Sequence, residues 1–427
     1  MADDRKPKEP QGLPEGWKWV RLGEVIEDTY PGEWGDNPTD TDSKNIFPVF
    51  STLAIDYDGR IDFTKAVPRK LNKKKIEKLK LKKGMILIEK SGGSTDTPAG
   101  KVAILKQDFE GTCSNFIQIL KPKNSICDNY YLFYRLLYNF KNNLIEKYQQ
   151  KTTGIINFIL KEYFNEYIPL PPLPEQRKIA EILETVDNAI EKTEKIIEKY
   201  KRIKQGLMQD LLTKGIDEKG NIRSEKTHKF KDSPLGRIPE EWEVVRLGEI
   251  LKYEQPQKYI VKSEEYDEKS GVPVLTAGKT FILGYVDENE GICNDLPVIL
   301  FDDFTTDSRY INFPFKVKSS ATKILRARDE SIDLFYVYNA LQLIRLKPGS
   351  EHKRFWISEY SKMFIPLPPL SEQKRIAEIL SQIDQAIEKE EKYKEKLERL
   401  KKGLMEDLLT GKVRVNKLLE GENHEMA

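Results

Sequence analysis

The chain has 427 residues, which is long enough for two or more domains, each with a core of its own. Its 71 Lys and Arg residues almost balance its 69 Asp and Glu residues, so the net charge of +2 neither requires nor excludes a nucleic-acid partner. Three scattered cysteines without a CxxC pair, an N-terminal segment without an apolar stretch, and the lack of any apolar run of membrane-spanning length predict a cytoplasmic protein with reduced thiols and no membrane partner.

The sequence contains the same frame twice. Residues 13–25 (LPEGWKWVRLGEV) match residues 238–250 (IPEEWEVVRLGEI), and we call this segment the opening motif. Residues 168–213, from IPLPPLPEQRKIAEIL to GLMQDLLT, match residues 365–410 in the same way. Between the two conserved parts of each copy lies an insert that matches its counterpart only in pattern. This arrangement indicates a tandem duplication that keeps one scaffold and varies its two inserts.

The inserts are predicted to be mixed α/β or α+β globules of ordinary domain size. Short runs of Val, Ile, Leu and Phe, broken by Gly, Pro and Asp, predict strands in both copies. Longer apolar segments at 129–140 and 333–344 predict helices that pack on those strands. The strands that correspond between the two inserts are 48–53 and 273–278, 85–93 and 297–305, and 115–120 and 321–326.

A basic block in the first insert is the first candidate for contact with DNA. From Arg69 to Lys90 the chain carries many lysines and only two acidic residues. Such a block neutralises phosphates and gains free energy from counterion release. The alternative is the solvated face of a helix, which a Lys-rich chain presents without binding anything.

The strand ends of the two inserts differ in their polar groups. The first strand ends in the segment Lys90–Thr95, whose glycines allow close approach of the backbone and whose hydroxyls suit phosphates or base edges. The matching segment, Asp302–Tyr310, offers carboxylates that can accept from cytosine and an Arg that suits guanine. An ordinary polar loop is the alternative for any single residue. The candidate DNA-contacting residues are Lys73, Lys74, Lys75, Lys90, Ser91, Gly92, Gly93, Ser94, Thr95, Lys101, Thr276, Lys279, Asp302, Asp303, Thr305, Thr306, Arg309 and Tyr310.

Each copy ends in a Pro-rich hinge, IPLPPL, that opens a long helix. Proline excludes helix inside the hinge, so the helices are predicted to begin at Pro174-Glu175 and at Ser371-Glu372. Each is about 57 Å long at 1.5 Å per residue and carries one narrow apolar stripe. Such a helix needs a partner along one seam, and the obvious partner is the other copy. The alternative is that each helix packs on its own domain.

Residues typical of catalysis are missing from the sequence. The segment 92–102 (GGSTDTPAGKV) has the wrong glycine spacing for a phosphate-binding loop, and Val102 stands where a Ser or Thr would hold magnesium. The segment NFPF (312–315) has Phe313 where the Asn-Pro-Pro-Phe/Tyr motif of adenine methyltransferases has its first proline. The three histidines are isolated, which argues against a metal site. We therefore expect a binding protein with no catalytic residues, no metal and no cofactor.

The repeated frame, [IL]PxxWxxxRLGE followed by an insert and PLPPLxEQ[RK][KR]IAEIL, resembles the specificity subunit of type I restriction-modification systems. The resemblance covers residues 13–412 and is specific, because both motifs occur in order and in duplicate. It implies an α+β fold with two globular target recognition domains, joined by two long antiparallel helices that form a coiled coil with an internal pseudo-twofold repeat. It also implies that the subunit has no catalysis of its own.

The resemblance further implies a division of the chain and a set of partners. Each recognition domain reads one half of a bipartite site on double-stranded DNA, and the paired helices set the gap. The subunit is expected to bind two DNA adenine methyltransferase subunits, and motor-nuclease subunits where these exist. The expected parts are recognition domain 1 (13–167), the central spacer helix (168–213), a linker (214–237), recognition domain 2 (238–364), the distal spacer helix (365–412) and a tail (413–427).

Two functions from other classes remain open on the sequence alone. One is a stand-alone nuclease with built-in specificity, which a cleavage assay with this chain alone distinguishes. The other is a coiled-coil adaptor that does not bind DNA, which a mobility-shift assay on duplex DNA distinguishes. The missing catalytic motifs argue against the nuclease.

Overall fold

The computed structural model divides the chain into two compact units, and each unit uses parts of both long helices. Unit 1 comprises residues 1–193 and 393–427, and unit 2 comprises residues 194–392. The structure describes residues 12–39, 44–93, 98–152, 155–268, 270–276, 280–303, 305–344 and 355–418.

The recognition domain of unit 1 is built on a four-stranded antiparallel sheet in the order β2-β9-β5-β7, beside a three-stranded sheet in the order β4-β3-β8. A second three-stranded sheet, β10-β11-β6, has no counterpart among the described residues of unit 2, and β1 pairs with β12. The strands are β1 (Lys18–Arg21), β2 (Ile26–Pro31), β3 (Ile46–Phe50), β4 (Val67–Lys70), β5 (Ile86–Glu89), β6 (Ser91–Gly93), β7 (Val102–Ile104), β8 (Thr112–Cys113), β9 (Ile117–Pro122), β10 (Gln149–Thr152), β11 (Ile155–Phe158) and β12 (Tyr167–Leu170). The helices that begin in this half of the chain are α1 (Lys73–Leu79), α2 (Asn129–Lys141), α3 (Leu160–Tyr163) and α4 (Leu173–Leu211).

Unit 2 repeats the four-stranded sheet and the first of the three-stranded sheets of this plan. Its four-stranded antiparallel sheet has the order β16-β22-β19-β20, its three-stranded sheet the order β18-β17-β21, and β15 pairs with β23. The strands are β13 (Phe230–Ser233), β14 (Gly236–Pro239), β15 (Glu243–Arg246), β16 (Leu251–Glu254), β17 (Val272–Leu275), β18 (Ile282–Val286), β19 (Val298–Asp302), β20 (Ser308–Ile311), β21 (Lys316–Val317), β22 (Thr322–Ala327) and β23 (Phe364–Leu367). The helices are α5 (Leu247–Ile250), α6 (Leu334–Gln342), α7 (Phe355–Ser358) and α8 (Leu370–Leu409).

The predicted fold class is confirmed, and so are the three strands predicted in each insert. The strands correspond between the two units as β3 to β17, β5 to β19 and β9 to β22. The predicted helices of the two inserts are α2 and α6, each capped by an Asp side chain that accepts backbone N–H groups in the first turn. Apolar runs between turn residues were therefore a sufficient signal for the core of each domain.

The long helix α4 packs on its own domain in one part and on the other long helix in another, so both interpretations of the sequence hold. Near its start, α4 packs on its own domain, where Ile179 and Leu183 are fully buried in the core of unit 1. Further along, Val186 and Ile190 pack against Leu397 of α8. One continuous apolar stripe of α4 therefore contacts first the domain core and then α8.

The two helices run antiparallel, as the pairing within unit 2 shows. Lys201 of α4 contacts Glu391 of α8 at 2.7 Å, and Lys204 contacts Asp384 at 2.6 Å, so the numbering rises on one helix as it falls on the other. In unit 1 the pair Lys401–Asp187, at 2.5 Å, repeats the Lys204–Asp384 contact. The antiparallel coiled coil that the resemblance implied is therefore confirmed.

Candidate nucleic-acid interface

The basic block forms a short helix, α1, that is fixed to the recognition domain of unit 1 by two apolar side chains. Ile76 and Leu79 are buried, and the Asn72 side chain caps the helix by accepting the backbone N–H of Lys74 at 2.9 Å. The outward face carries Lys73 and Lys74, both exposed. Anchoring by apolar residues leaves this face to solvent, which suits contact with phosphates.

The third predicted lysine of this block already has an ion-pair partner. Lys75 contacts the Glu33 carboxylate. Lys80, further along the block, lies 2.8 Å from Glu110. Part of the positive charge that the sequence shows is therefore balanced by acidic residues from other segments, which sequence proximity did not reveal.

The strand end of unit 1 places Lys90 and Ser91 between two neighbouring strands. The backbone N–H of Lys90 donates to Phe116 O, and Phe158 N–H donates to Lys90 O, both at 2.9 Å. Ser91 Oγ lies 2.5 Å from Asn157 Oδ1. Of the remaining residues predicted here, Gly92 and Gly93 belong to β6, and Ser94 and Thr95 lie outside the described residues.

Gly92 is required by the fold of this strand end. Its φ of +133° lies in a region that L side chains rarely adopt, and a Cβ there would stand 3.1 Å from Glu89 Oε1 and 3.3 Å from Thr52 Oγ1. The close approach that the sequence suggested for a ligand is thus made to the protein's own side chains.

Lys101 supports a neighbouring loop from inside. Its Nζ donates to Thr52 O at 2.9 Å and to Ile55 O at 3.1 Å. It also lies 3.8 Å from Glu89, a buried residue whose pKa is raised by burial. In this conformation Lys101 holds the protein backbone rather than facing outward.

The strand end of unit 2 has its carboxylates turned inward, which the sequence did not predict. Asp302 Oδ1 accepts the backbone N–H of Thr305 at 2.6 Å, and Asp303 Oδ1 accepts that of Trp356 at 3.0 Å. Asp303 also lies 3.7 Å from Lys323. Each aspartate is only 4 % exposed, and these contacts offset the cost of burying its carboxylate. Base contact by these two residues stays a prediction, and it requires a different conformation.

The other predicted residues of unit 2 lie nearer the surface. Arg309 is exposed and stands over the Phe281 ring at 5.5 Å, and Tyr310 packs edge-to-face on Phe335. Thr305 is exposed, and Thr306 is half-buried with a positive φ of 62°. Thr276 is half-buried and donates its N–H to Phe281 O, and Lys279 lies outside the described residues. Arg309 and Thr305 are thus the predicted side chains of unit 2 that the structure exposes most clearly.

Sequence reasoning missed a cluster of buried polar residues that each unit contains. In unit 1, the Glu175 carboxylate accepts from Trp17 Nε1 at 3.1 Å and from Arg414 Nε and Nη2 at 2.7 and 2.8 Å. Trp17 belongs to the opening motif, Glu175 to the first turn of α4, and Arg414 follows α8. Three distant segments therefore meet at one carboxylate, and we call this the Trp–Glu–Arg cluster.

Unit 2 contains the same cluster with different segments. Glu372, in the first turn of α8, accepts from Trp242 Nε1 at 3.0 Å and pairs with Arg223, which lies beyond the end of α4. Ile216 N–H donates to the same carboxylate at 2.8 Å. In each unit the start of one long helix is thus tied to the segment that follows the other long helix.

The glutamine beside each of these glutamates fixes the helix to its recognition domain. Gln176 accepts the N–H of Asp128, the N-cap of α2, at 2.8 Å, and donates to Pro171 O at 2.8 Å. Gln373 repeats both contacts, with Asp333 N–H and Pro368 O. The repeated Glu-Gln pair in the two hinge motifs was the sequence signal for these contacts.

The described part of the chain contains neither a metal site nor a membrane-spanning helix. Within the described ranges, no group of His, Cys, Asp and Glu side chains is arranged to hold a metal ion. None of the helices in the same ranges combines the length and hydrophobicity that crossing a membrane requires.

Comparison with known proteins places the chain in a family. Residues 14–202 and 239–399 match the type I restriction modification DNA specificity domain. The chain is 33 % identical to the type I restriction enzyme MjaVIII specificity subunit of Methanocaldococcus jannaschii, over 96 % of each chain. It is 45 % identical to the EcoR124I/EcoR124II specificity subunit of Escherichia coli, over 38 % of this chain and 40 % of that one.

A solved structure gives the same answer for the fold. The crystal structure of the type I restriction-modification system S subunit from M. genitalium matches with a TM-score of 0.62 and 18 % identity, covering 95 % of this chain and 98 % of that one. The specificity domain occurs twice, and its two matches contain the two recognition domains described above. The chain therefore belongs to the family of type I restriction-modification specificity subunits, which recognise DNA.

Proposed function

We propose that each recognition domain reads one half of a bipartite site on double-stranded DNA. The observation that carries this proposal is the divergence of chemistry on a repeated scaffold. Lys90 N–H donates to Phe116 O in unit 1, and Asp303 N–H donates to Ala321 O in unit 2, so the two residues occupy equivalent positions. A lysine at one position and a buried aspartate at the other give the two domains different polar surfaces, which suits domains that read different sequences.

The exposed lysines of α1 supply contact to phosphates. Lys73 and Lys74 lie on the outward face of a helix whose other face is anchored in the domain. Contacts of this kind position a protein on DNA without selecting bases. Selection is then left to the strand ends, which differ between the units.

The paired helices α4 and α8 act as the spacer that sets the gap between the half-sites. Each is continuous, with 39 and 40 residues. Ion pairs and apolar contacts join the helices within each unit, and a paired helix holds a length better than a flexible linker does.

The chain binds methyltransferase subunits through the outer faces of these helices and itself carries out no chemical step. Ile196 and Ile203 of unit 2 are 41 % and 40 % exposed, and Tyr393 and Leu400 of unit 1 are 50 % and 51 % exposed. Each pair is spaced by seven residues, as in the seam of a coiled coil. Because the pairs stand at corresponding positions of the two repeats, two DNA adenine methyltransferase subunits are the expected partners, with motor-nuclease subunits joining where these exist.

Replacing Ile196 and Ile203 together with Glu is expected to remove one of the two methyltransferase subunits. Two carboxylates at these positions oppose burial of this exposed helix face against a partner. The stoichiometry, measured by native mass spectrometry, should fall from two methyltransferases to one. Lys199→Glu, which adds a carboxylate at an exposed position on the same helix, is the control. A complex that keeps both methyltransferase subunits in the double variant contradicts the proposal that this helix face binds one of them.

Replacement of residues 26–167 with the recognition domain of another specificity subunit tests the reading of half-sites. Because the opening motif and the first turn of α4 stay, Trp17 and Glu175 are kept, and the new domain rests on the same frame. We expect one half-site to change while the other half-site and the gap stay the same. Mapping of methylated adenines in DNA from cells carrying the chain and its methyltransferase measures this. Changes in both halves contradict independent reading.

A further inference from the structure

A groove in unit 1 lies beside the strand end that differs between the two units, and its lining combines six polar residues with Phe116, Phe158, Leu160 and Phe164. It has a volume of about 620 Å³ and opens to solvent. Two lysines, three carboxamides and one exposed aromatic ring give it its chemical character. These side chains belong to Lys90, Asn115, Phe116, Gln118, Asn157 and Lys161.

One carboxamide of this groove, that of Asn157, lies at an irregularity in a sheet. Strand β11 pairs with β6, but the register shifts between Ile156 and Asn157, so Gly92 is an extra residue on β6. Bulges of this kind redirect a side chain and occur next to binding sites. Ser91 Oγ donates to Asn157 Oδ1 at 2.5 Å and so holds this carboxamide at the bulge.

A second carboxamide is held by a different strand. Gln118 is half-buried in β9, between the fully buried Ile117 and Ile119. Its Nε2 donates to Thr29 Oγ1 at 2.9 Å, which fixes the orientation of the amide. A carboxamide has a second N–H and an acceptor oxygen in addition to that bond.

The equivalent position of unit 2 carries different chemistry. Gln118 faces Ile88 in the ladder of unit 1, and Lys323 faces Phe301 in the matching ladder of unit 2. Lys323 lies 3.7 Å from Asp303 and both are less than 10 % exposed, so unit 2 has a buried ion pair where unit 1 has an open groove. The scaffold is the same, and the groups it presents differ.

We propose that this groove is the base-reading surface of unit 1 and that it reads an A·T pair. A carboxamide both donates and accepts, which matches N7 and N6 of adenine in the major groove. Gln118 and Asn157 are the specificity-determining side chains for the adenine. Phe116, 47 % exposed at the mouth of the groove, contacts the methyl group of the paired thymine. This assignment rests on the proposed function and adds to it the residues and the base pair.

The experiment uses the full chain with its methyltransferase subunits and a site selected from a random duplex library. The half-site of unit 1 is the one that changes when residues 26–167 are replaced. Within it, 7-deazaadenine removes the N7 acceptor of one adenine, and uracil in place of thymine removes one methyl group. The second half-site serves as the internal control.

At one A·T pair, 7-deazaadenine is expected to weaken binding of the unchanged protein by about fivefold or more. Binding by Gln118→Ala or by Asn157→Ala should be insensitive to the same change. Uracil should weaken binding of the unchanged protein about fourfold, the effect of burying one methyl group, and should leave Phe116→Ala unaffected. Gln205→Ala, on an exposed face of α4, should behave as the unchanged protein.

Three outcomes overturn the assignment, and they are distinguishable. A complex that selects no bipartite site overturns the proposed function and this assignment together. A bipartite site at which all three variants keep the sensitivity of the unchanged protein overturns the assignment alone, as does a half-site at which neither 7-deazaadenine nor uracil weakens binding. Phe116 is exposed, so Phe116→Ala gives an answer even if a substitution at the more buried Gln118 lowers the melting temperature.

Discussion

Replacing Glu372 with Gln is expected to destabilise unit 2 by about 3 kcal/mol, the effect of removing one partner of a buried ion pair. Glutamine keeps the shape of the side chain and can still accept from Trp242 Nε1. It removes the buried one of the two carboxylates that face the Arg223 guanidinium, which is 8 % exposed, and leaves the exposed Glu241 at 2.6 Å. For a unit of this size the melting temperature of the corresponding transition should fall by about 6–12 °C.

Two further variants show whether the charge is responsible. Glu378→Gln makes the same chemical change at an exposed position of α8 and should alter stability by less than about 0.5 kcal/mol. Combining Glu372→Gln with Arg223→Met removes both charges and should recover most of the lost stability, because no uncompensated charge then stays buried. If Glu372→Gln melts like the unchanged protein, the pair does not stabilise unit 2.

Inserting seven residues after Thr193 and seven after Glu390 is expected to move the protein to a longer bipartite site. Each helix grows by about 10.5 Å at 1.5 Å per residue, so the gap should lengthen by up to about three base pairs. Affinity for the original site should fall by about a thousandfold or more, towards the level of non-specific binding. Both half-sites should be unchanged, since neither recognition domain is altered.

The measurement is selection from a random duplex library, which reports both half-sites and the gap at once. Insertion after Thr193 alone is the control, because it shifts one helix against the other and should disrupt pairs such as Lys204–Asp384. A double insertion that keeps the original gap contradicts the assignment of the helices as the spacer. Equal melting temperatures of the double insertion and the unchanged protein show that the fold is retained.

The sequence predicted those features that depend on nearby residues. Runs such as 48–53 and 273–278 became strands because apolar residues between turn residues fit a half-buried sheet. The helices begin at Leu173 and Leu370, directly after hinges that proline keeps extended. The resemblance carried by the repeated motifs supplied the family and the DNA-recognition role, both of which the comparisons confirmed.

Features that depend on distant partners were not predictable. Asp302 and Asp303 were expected on a surface loop, but Trp356 N–H and Lys323, from other segments, cover Asp303. The Trp–Glu–Arg cluster joins residues separated by 158 and 239 positions in unit 1. Arg414 and Arg223 gave no signal at all, because the segments around them differ in length and sequence.

The composition of unit 1 has a consequence for the order in which the chain folds as it is made. The core of unit 1 includes Met405, Leu408 and Leu409, which the ribosome supplies only after every residue of unit 2. At 5–20 residues per second, roughly 10–40 s separate the two parts of unit 1. During that time the apolar surface around Ile179 and Leu183 stays exposed. Unit 1 is therefore begun first and completed last, and this surface is where we expect chaperones to bind the nascent chain.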